Sequence, residues 1–221
     1  MPTLADFVER VSFLAAMPAV AGIFITAGTL AVSREWRLNV LALTAQYFFV
    51  VLLLTRTIRL EVAAVKGLIG WMICMVFYIT ERGASELVQS QAAELAEESR
   101  RLSRWVMSAR ASFGLLAGIL ISVAAYTAAL RLPLPQVPGD ITLACYLLVG
   151  LGLLQIGLSE APMQVGSGLL TFLAGFDLFY VALEPSLAVA GFLGAVSFLI
   201  ALAAAYLRAA QAVAEAEVSD A

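Results

Sequence analysis

Long apolar runs alternate with short polar connections along this chain. Seven runs are dominated by apolar residues, at about 11–32, 38–54, 62–80, 112–130, 141–158, 165–183 and 187–207. A helix of about 20 apolar residues is long enough to cross a bilayer. The pattern therefore predicts an all-α integral membrane protein with about seven transmembrane helices.

Composition supports the same class and excludes several functions. Of 221 residues, 62% are apolar and 13% are charged, whereas soluble domains contain about half apolar and a quarter charged residues. The net charge of −3 and the lack of a basic run give no electrostatic basis for nucleic-acid binding. The composition therefore predicts that the chain is embedded in a lipid bilayer.

Candidate chemistry is sparse. The chain contains no histidine, the commonest metal ligand, and it has no phosphate loop, dinucleotide motif or metal-ligand spacing. Cys74 and Cys145 lie in different apolar runs and are expected to pack as inert side chains. We expect no cofactor, no metal and no catalysis by this chain itself.

The runs fall into two groups of three. The first group covers 11–80 and the second covers 141–208, with a linking span at 112–130 and a polar C-terminal tail at 209–221. A shift of 126 residues overlays the two groups and places Ser33 on Ser159. One intervening span gives both groups the same orientation, which predicts a parallel repeat of topology.

The extended polar segment 81–111 is predicted to form a cytoplasmic amphipathic helix. Its apolar residues Val88, Leu95 and Leu102 are seven apart, and Trp105 follows near an arginine-rich end. One interpretation is a solvated connector that is anchored at the membrane interface. The other is a docking helix for a cytoplasmic partner, with Leu95, Leu102 and Trp105 as contact candidates.

Arginines predict the orientation, because cytoplasmic loops are enriched in positive charge. With seven spans, eight arginines gather on one side: Arg34, Arg37, Arg82, Arg100, Arg101, Arg104, Arg110 and Arg208. The other side has Arg10, Arg56, Arg59 and Arg131. The arginine-rich side is predicted to be cytoplasmic, which puts the N-terminus outside and the C-terminus inside a cell (inner) membrane.

Ionisable residues inside apolar runs are the main functional candidates, because each is costly to place in lipid. Lys66 is the only lysine, and it either extends towards the outer headgroups or faces the bundle as part of a charge or proton relay. Asp177 lies about six residues from the outer end of its run, at a depth similar to that of Lys66. We hypothesise that the two form an ion pair. Gln46 is the third relay candidate, whereas Thr44, Thr171 and Gln155 are expected to bond neighbouring helices.

The last three runs resemble a known family of small membrane subunits. The segment from GLGLLQIGLSEAPMQV to AYLR is similar to the K-type subunit of respiratory complex I and the C-type subunit of Mrp cation/proton antiporters. The first three runs look like the N-terminal half of hydrogenase-4 component E. The family's glutamine and lysine in successive helices match Gln46 and Lys66, and its two membrane glutamates fall at Leu170 and near Ala195.

The resemblance implies a noncatalytic membrane subunit of a multisubunit complex that translocates protons or cations. It would join larger antiporter-like membrane subunits, while any redox chemistry would belong to other subunits. Two other functions remain open at this point. One is a stand-alone transporter with its site between the two groups, and the other is a structural or regulatory protein that docks a partner through 81–111.

Overall fold

The computed structural model describes residues 4–33, 35–58, 60–92, 100–134, 137–183 and 186–219, with side chains from Pro18 onward except at 61, 86–111, 187 and 216–219. Seven α-helices and no strands are found within these ranges. They are α1 (Leu4–Val32), α2 (Trp36–Leu54), α3 (Leu60–Ala92), α4 (Arg100–Arg131), α5 (Gly139–Leu158), α6 (Pro162–Leu183) and α7 (Leu187–Ser219).

Most of these helices are long and apolar enough to cross a membrane. Six contain such a stretch, and the seventh, α1, offers the shorter apolar stretch Pro18–Val32. Large apolar side chains are exposed along them, including Leu120, Trp71 and Phe192 at 67–70%. Exposure on this scale is unsuited to water and suited to lipid. The architecture is therefore that of an all-helical, multi-pass membrane protein.

The polar segment differs from its prediction as a separate amphipathic helix. Residues 81–92 continue α3, and residues 100–111 form the first turns of α4. Gly83 follows the apolar run, but no proline lies in 81–92, and α3 continues through this glycine to Ala92. Likewise, α7 continues through most of the predicted tail, to Ser219.

Helices α5 and α6 share the most extensive contact among the described helices, and glycines line both of them. A Cβ on Gly152 would lie 2.6 Å from the Phe172 backbone nitrogen, and one on Gly175 would lie 2.8 Å from the Cβ of Leu148. Small residues allow helix backbones to approach closely in a membrane. This pair forms the centre of the bundle, with α1, α4 and α7 packed around it.

Short connections set the neighbours of the other helices. Only residues 33–35 separate α1 from α2, and only 159–161 separate α5 from α6. Pro162 opens α6 at the position where proline is best tolerated in a helix. Both connections therefore produce antiparallel helix pairs that reach the same face of the bundle.

Candidate functional site

A buried ion pair joins α3 to α6. The Lys66 ammonium lies 2.5 Å from both carboxylate oxygens of Asp177. Lys66 is 9% exposed and Asp177 is 8% exposed. Each residue lies six positions from the end of its helix, which corresponds to about 9 Å at 1.5 Å per residue. The hypothesised pairing is present, and Lys66 points into the bundle instead of extending along its surface.

Mutual compensation explains how two charges can occupy this depth. A lysine or aspartate alone near the centre of a membrane helix costs about 3 kcal/mol on insertion scales. A charge-assisted, two-oxygen contact offsets part of the cost for both groups. Removing either partner would leave the other as an uncompensated buried charge.

A second polar contact joins α2 to α6. The Gln46 amide donates a hydrogen bond of 3.1 Å to the Thr171 hydroxyl, which donates to the Ser167 carbonyl at 2.9 Å. Gln46 and Thr171 are 1% and 0% exposed. The Gln46 carbonyl oxygen is buried and has no hydrogen-bond partner among the described atoms. Gln46 therefore bonds a neighbouring helix and retains an unused acceptor.

A third contact continues this line along α6. The Gln155 amide donates to the Ser167 hydroxyl at 2.7 Å, and that hydroxyl donates to the Gln164 carbonyl at 2.9 Å. The Gln155 carbonyl oxygen is also buried without a partner among described atoms. Gln164, Ser167 and Thr171 thus lie along one side of α6, whereas Asp177 lies six residues beyond Thr171 and about 120° around the helix.

Tyr47 fills the interval between the Gln46 contact and the ion pair. Its ring lies against Gly70, one helical turn from Lys66, where a Cβ would approach the ring to 2.8 Å. The Tyr47 hydroxyl is buried and has no hydrogen-bond partner among the described atoms. It therefore adds a polar atom between the Gln46 contact and the ion pair.

A cavity of about 370 Å³ lies near the ends of α3 and α7, on the face reached by the α1–α2 and α5–α6 connections. Its lining includes Trp36, Asn39, Ser167 and a set of charged side chains. Arg208 Nε lies 3.8 Å from Glu81, and Arg208 Nη1 lies 4.0 Å from Glu215. These separations are longer than hydrogen bonds, so the ion pairs at the cavity are loose.

Sequence reasoning missed the Glu81–Arg208 pair because both residues were assigned to polar regions outside the apolar runs. One signal could have found it. The 126-residue shift places Glu81 next to Arg208, so both occupy similar levels of their respective helices. The structure brings these levels together where α3 packs against α7.

The three docking candidates cannot be placed in the site. Leu95 lies outside the described residues, and Leu102 and Trp105 belong to α4 with side chains outside the described set. Docking through 81–111 therefore remains a prediction. Cys74 and Cys145 are buried and free, in keeping with the packing role expected of them.

Among the described residues, no three or more histidine, cysteine, aspartate or glutamate side chains come close enough together to hold a metal ion. The polar side chains that do meet inside the bundle form separate pairwise contacts between helices.

No protein-family model, curated protein or solved structure gives a significant match to this chain.

Proposed function

We propose that the protein is a noncatalytic integral membrane subunit of a multisubunit complex that translocates protons or cations. Lys66, Asp177 and Gln46 would contribute to its polar axis. The observation that carries the proposal is the Lys66–Asp177 pair, which is buried between two membrane-length helices. Ionisable groups inside a membrane protein usually mark a pathway for protons or ions.

The pair has the chemistry that a relay requires. A carboxylate and an ammonium in contact each change the proton affinity of the other, and a third charge nearby shifts both. A proton or cation that binds to Asp177 would weaken the ion pair between Asp177 and Lys66. Movement of charge in a neighbouring subunit could then be coupled to occupancy of this pair.

We also propose that α1–α3 and α5–α7 form two three-helix units in parallel orientation, joined by the linking span in α4. Matching contacts support this arrangement. Gly22 packs against the Phe49 ring, and the residues 126 positions later, Leu148 and Gly175, also pack against each other. Gly194 of α7 contacts Ile69 of α3, and Arg208 contacts Glu81 further along both helices. Contacts that advance together on both helices are those of parallel neighbours.

The polar axis would then follow the boundary between these units. Four described polar contacts cross it: Gln46–Thr171, Lys66–Asp177, Glu81–Arg208 and Arg56–Asp140. Apolar contacts dominate inside each unit, with Gln155–Ser167 as a polar contact within the second. Polar groups at a boundary between repeats are the usual location of transport sites in membrane proteins.

The proposed parent complex is of the complex I, membrane hydrogenase or Mrp antiporter type, on the resemblance described above. The two residues shared with that family, Gln46 and Lys66, both make buried polar contacts in the bundle. The arginine counts support an inner-membrane orientation with the N-terminus outside and the C-terminus in the cytoplasm. Larger antiporter-like subunits would be the partners.

The test is substitution of the ion pair in the intact complex. Lys66→Ala is expected to reduce ion translocation about tenfold or more, as is typical when a group that handles protons is removed, while the complex still assembles. Translocation is measured with a pH-sensitive dye in vesicles, and assembly by native electrophoresis. Leu68→Ala is the matched control, because Leu68 lies on the same helix and is 63% exposed.

A combined variant makes the test decisive. If Lys66→Ala, Asp177→Asn and Gln46→Ala together leave translocation unchanged in an assembled complex, the chain is a scaffold and the proposed polar axis is wrong. Co-purification from native membranes, followed by identification of the associated subunits, tests the parent complex separately. Antiporter-like partners are the expected result.

A stand-alone transporter is the second candidate. The cavity between α2, α3, α6 and α7 favours it, because it lies at the boundary of the two proposed units, where a substrate could bind. Reconstitution of the purified chain alone into liposomes separates the two functions. Transport without any partner would favour the second candidate over the first.

A further inference from the structure

We propose that the cavity beside Glu81 and Arg208 is a hydrated vestibule that admits protons to the Lys66–Asp177 pair from one membrane face only. This inference rests on the proposed function and adds a route and a direction to it. The two ends of the route lie far apart along α3. Lys66 and Glu81 are separated by 15 residues, which corresponds to about 22 Å of helix.

Polar side chains span most of that interval. Ser167 lines the cavity, and Thr171 lies one turn deeper, where it meets Gln46. Tyr47 then lies between Gln46 and the pair. Hydroxyl and amide groups both donate and accept hydrogen bonds, so this row can support a chain of water molecules that carries a proton.

Unused hydrogen-bonding atoms mark the same line. Among the described residues, five buried side-chain atoms have no hydrogen-bond partner: Asn39 Oδ1, Gln46 Oε1, Tyr47 Oη, Thr57 Oγ1 and Gln155 Oε1. The Gln46 and Tyr47 atoms lie between the cavity and the ion pair. Asn39 belongs to the cavity lining, and Gln155 bonds the cavity-lining Ser167. Gln46 and Gln155 are each 1% exposed. Buried polar atoms are normally satisfied by protein or by ordered water, and the Gln46 and Tyr47 atoms mark where water would bind in the interval.

The charge of the cavity favours cations. Two carboxylates, Glu81 and Glu215, line it with one guanidinium, Arg208. The excess negative charge would raise the local concentration of protons. Because the contacts of Arg208 are 3.8 and 4.0 Å long, they leave room for water between the charged groups.

Apolar packing closes the opposite face. Beyond the pair, towards the near ends of α3 and α6, the described neighbours are Ala63 and Val181, which are 0% and 2% exposed. They belong to one apolar cluster together with Leu54. A dry layer about one helical turn thick would separate the pair from the polar groups at that face, the Arg56–Asp140 contact and the Thr57 hydroxyl, so access is one-sided.

Thiol accessibility tests this route. Cys74 and Cys145 are first replaced by alanine, and the variants Thr171→Cys and Leu170→Cys are placed in that background. Positions 170 and 171 are adjacent and both are 0% exposed, but only Thr171 lies on the polar row. Silver ions are added to one face of oriented vesicles that contain the full complex, and unreacted thiols are counted with a maleimide after denaturation.

Silver reaches only thiols that are in contact with water and can ionise. From the cavity face, the cysteine in Thr171→Cys is expected to react with silver at least about tenfold faster than the cysteine in Leu170→Cys, because thiolate formation requires water. From the opposite face, the two should react equally slowly. Equal rates from the cavity face, or equal rates for Thr171→Cys from both faces, would overturn the inference.

A second variant covers a failure of Thr171→Cys to fold. Ser167 lines the cavity, so Ser167→Cys is compared with the same Leu170→Cys control. The criterion is again the ratio of the two silver reaction rates from the cavity face. The silver measurement requires no transport, so it is independent of the Lys66→Ala experiment. Loss of transport in Lys66→Ala with unreactive cysteines would retain the proposed function and reject this route. Reactive cysteines together with full transport in the combined relay variant would retain the hydrated route and reject the proposed function.

Discussion

Helices α4 and α6 are similar in apolar length but differ in position and content. In α6, 56% of the apolar, membrane-length stretch is buried inside the bundle, whereas in α4 the corresponding share is 11%. The buried helix carries Ser167, Thr171 and Asp177, whereas the outer helix exposes Leu116 and Leu120 at 67% and 70%. Hydrophobicity alone therefore does not place a helix in this bundle.

Small and polar residues distinguish the centre from the periphery. Gly166, Gly168 and Gly175 let α6 approach its neighbours closely enough for short polar side chains to meet. Lipid offers no hydrogen bonds, so polar groups concentrate where other helices can satisfy them. If this explanation is correct, substitutions should be costly in α6 and nearly neutral in α4.

The largest effect is expected from breaking the ion pair on α6. Asp177→Ala should lower the free energy of unfolding by about 3–5 kcal/mol, because Lys66 would remain as an uncompensated buried charge. Asp177→Leu combined with Lys66→Met should lower it much less, since both charges are removed. Thermal unfolding in detergent measures both variants. Equal losses in the two would show that packing, and not charge, makes this position sensitive.

The next effect concerns the glycine contacts of α5 and α6. Gly152→Ala should cost about 1–3 kcal/mol through overpacking, because the new Cβ would lie 2.6 Å from the Phe172 backbone. Gly118→Ala on α4 is the matched control, with its nearest neighbours 4.0 Å away. It should be neutral or slightly stabilising, since alanine favours helix more than glycine does. A neutral Gly152→Ala would mean that the two helices can separate without cost.

A smaller effect is expected at the Gln46–Thr171 contact. Thr171→Val should cost about 1 kcal/mol, because it leaves the buried Gln46 amide without its acceptor. Adding Gln46→Leu should recover part of that loss, since no polar group then remains unpaired. Chemical unfolding of the single and double variants gives the coupling between the two side chains. Strict additivity would argue against a direct interaction.

The smallest effect is expected on the outer face of α4. Leu120→Ala should change the free energy of unfolding of the isolated chain by about 0.5 kcal/mol or less, as is usual for exposed positions. The same substitution in the assembled complex sharpens the comparison. A clear loss there, measured as dissociation on native gels, would indicate that this face contacts another protein subunit and not lipid.

The helices could largely be predicted from the sequence because the membrane fixes their length. The run 38–54 ends where α2 ends, at Leu54, and the run 165–183 ends with α6 at Leu183. The similar depth of Lys66 and Asp177 followed from the constant rise of a helix, and the pair is present. These features depend on local sequence and simple geometry.

The rest of the site depends on packing that local sequence does not encode. The meeting of Glu81 with Arg208, and the position of Tyr47 beside Gly70, require knowledge of which helices are neighbours. Where 81–111 was expected to be one helix, the α3 and α4 helices extend into it from both sides. Polar composition predicts exposure to water, but it does not predict where a helix stops.

The glycine positions in α1 and α6 have a consequence for how the chain assembles. In one antiparallel pair the small residue is on the first helix, at Gly22 opposite Phe49, and in the other it is on the second, at Gly175 opposite Leu148. If α1 instead packed against α6 at this level, Gly22 would face Gly175 and leave a void. In the other exchanged pair, α5 against α2, Leu148 would face Phe49 and the two side chains would be too large for the space. The observed pairs each place a glycine opposite a large side chain, so packing at this level favours them over the exchanged pairs.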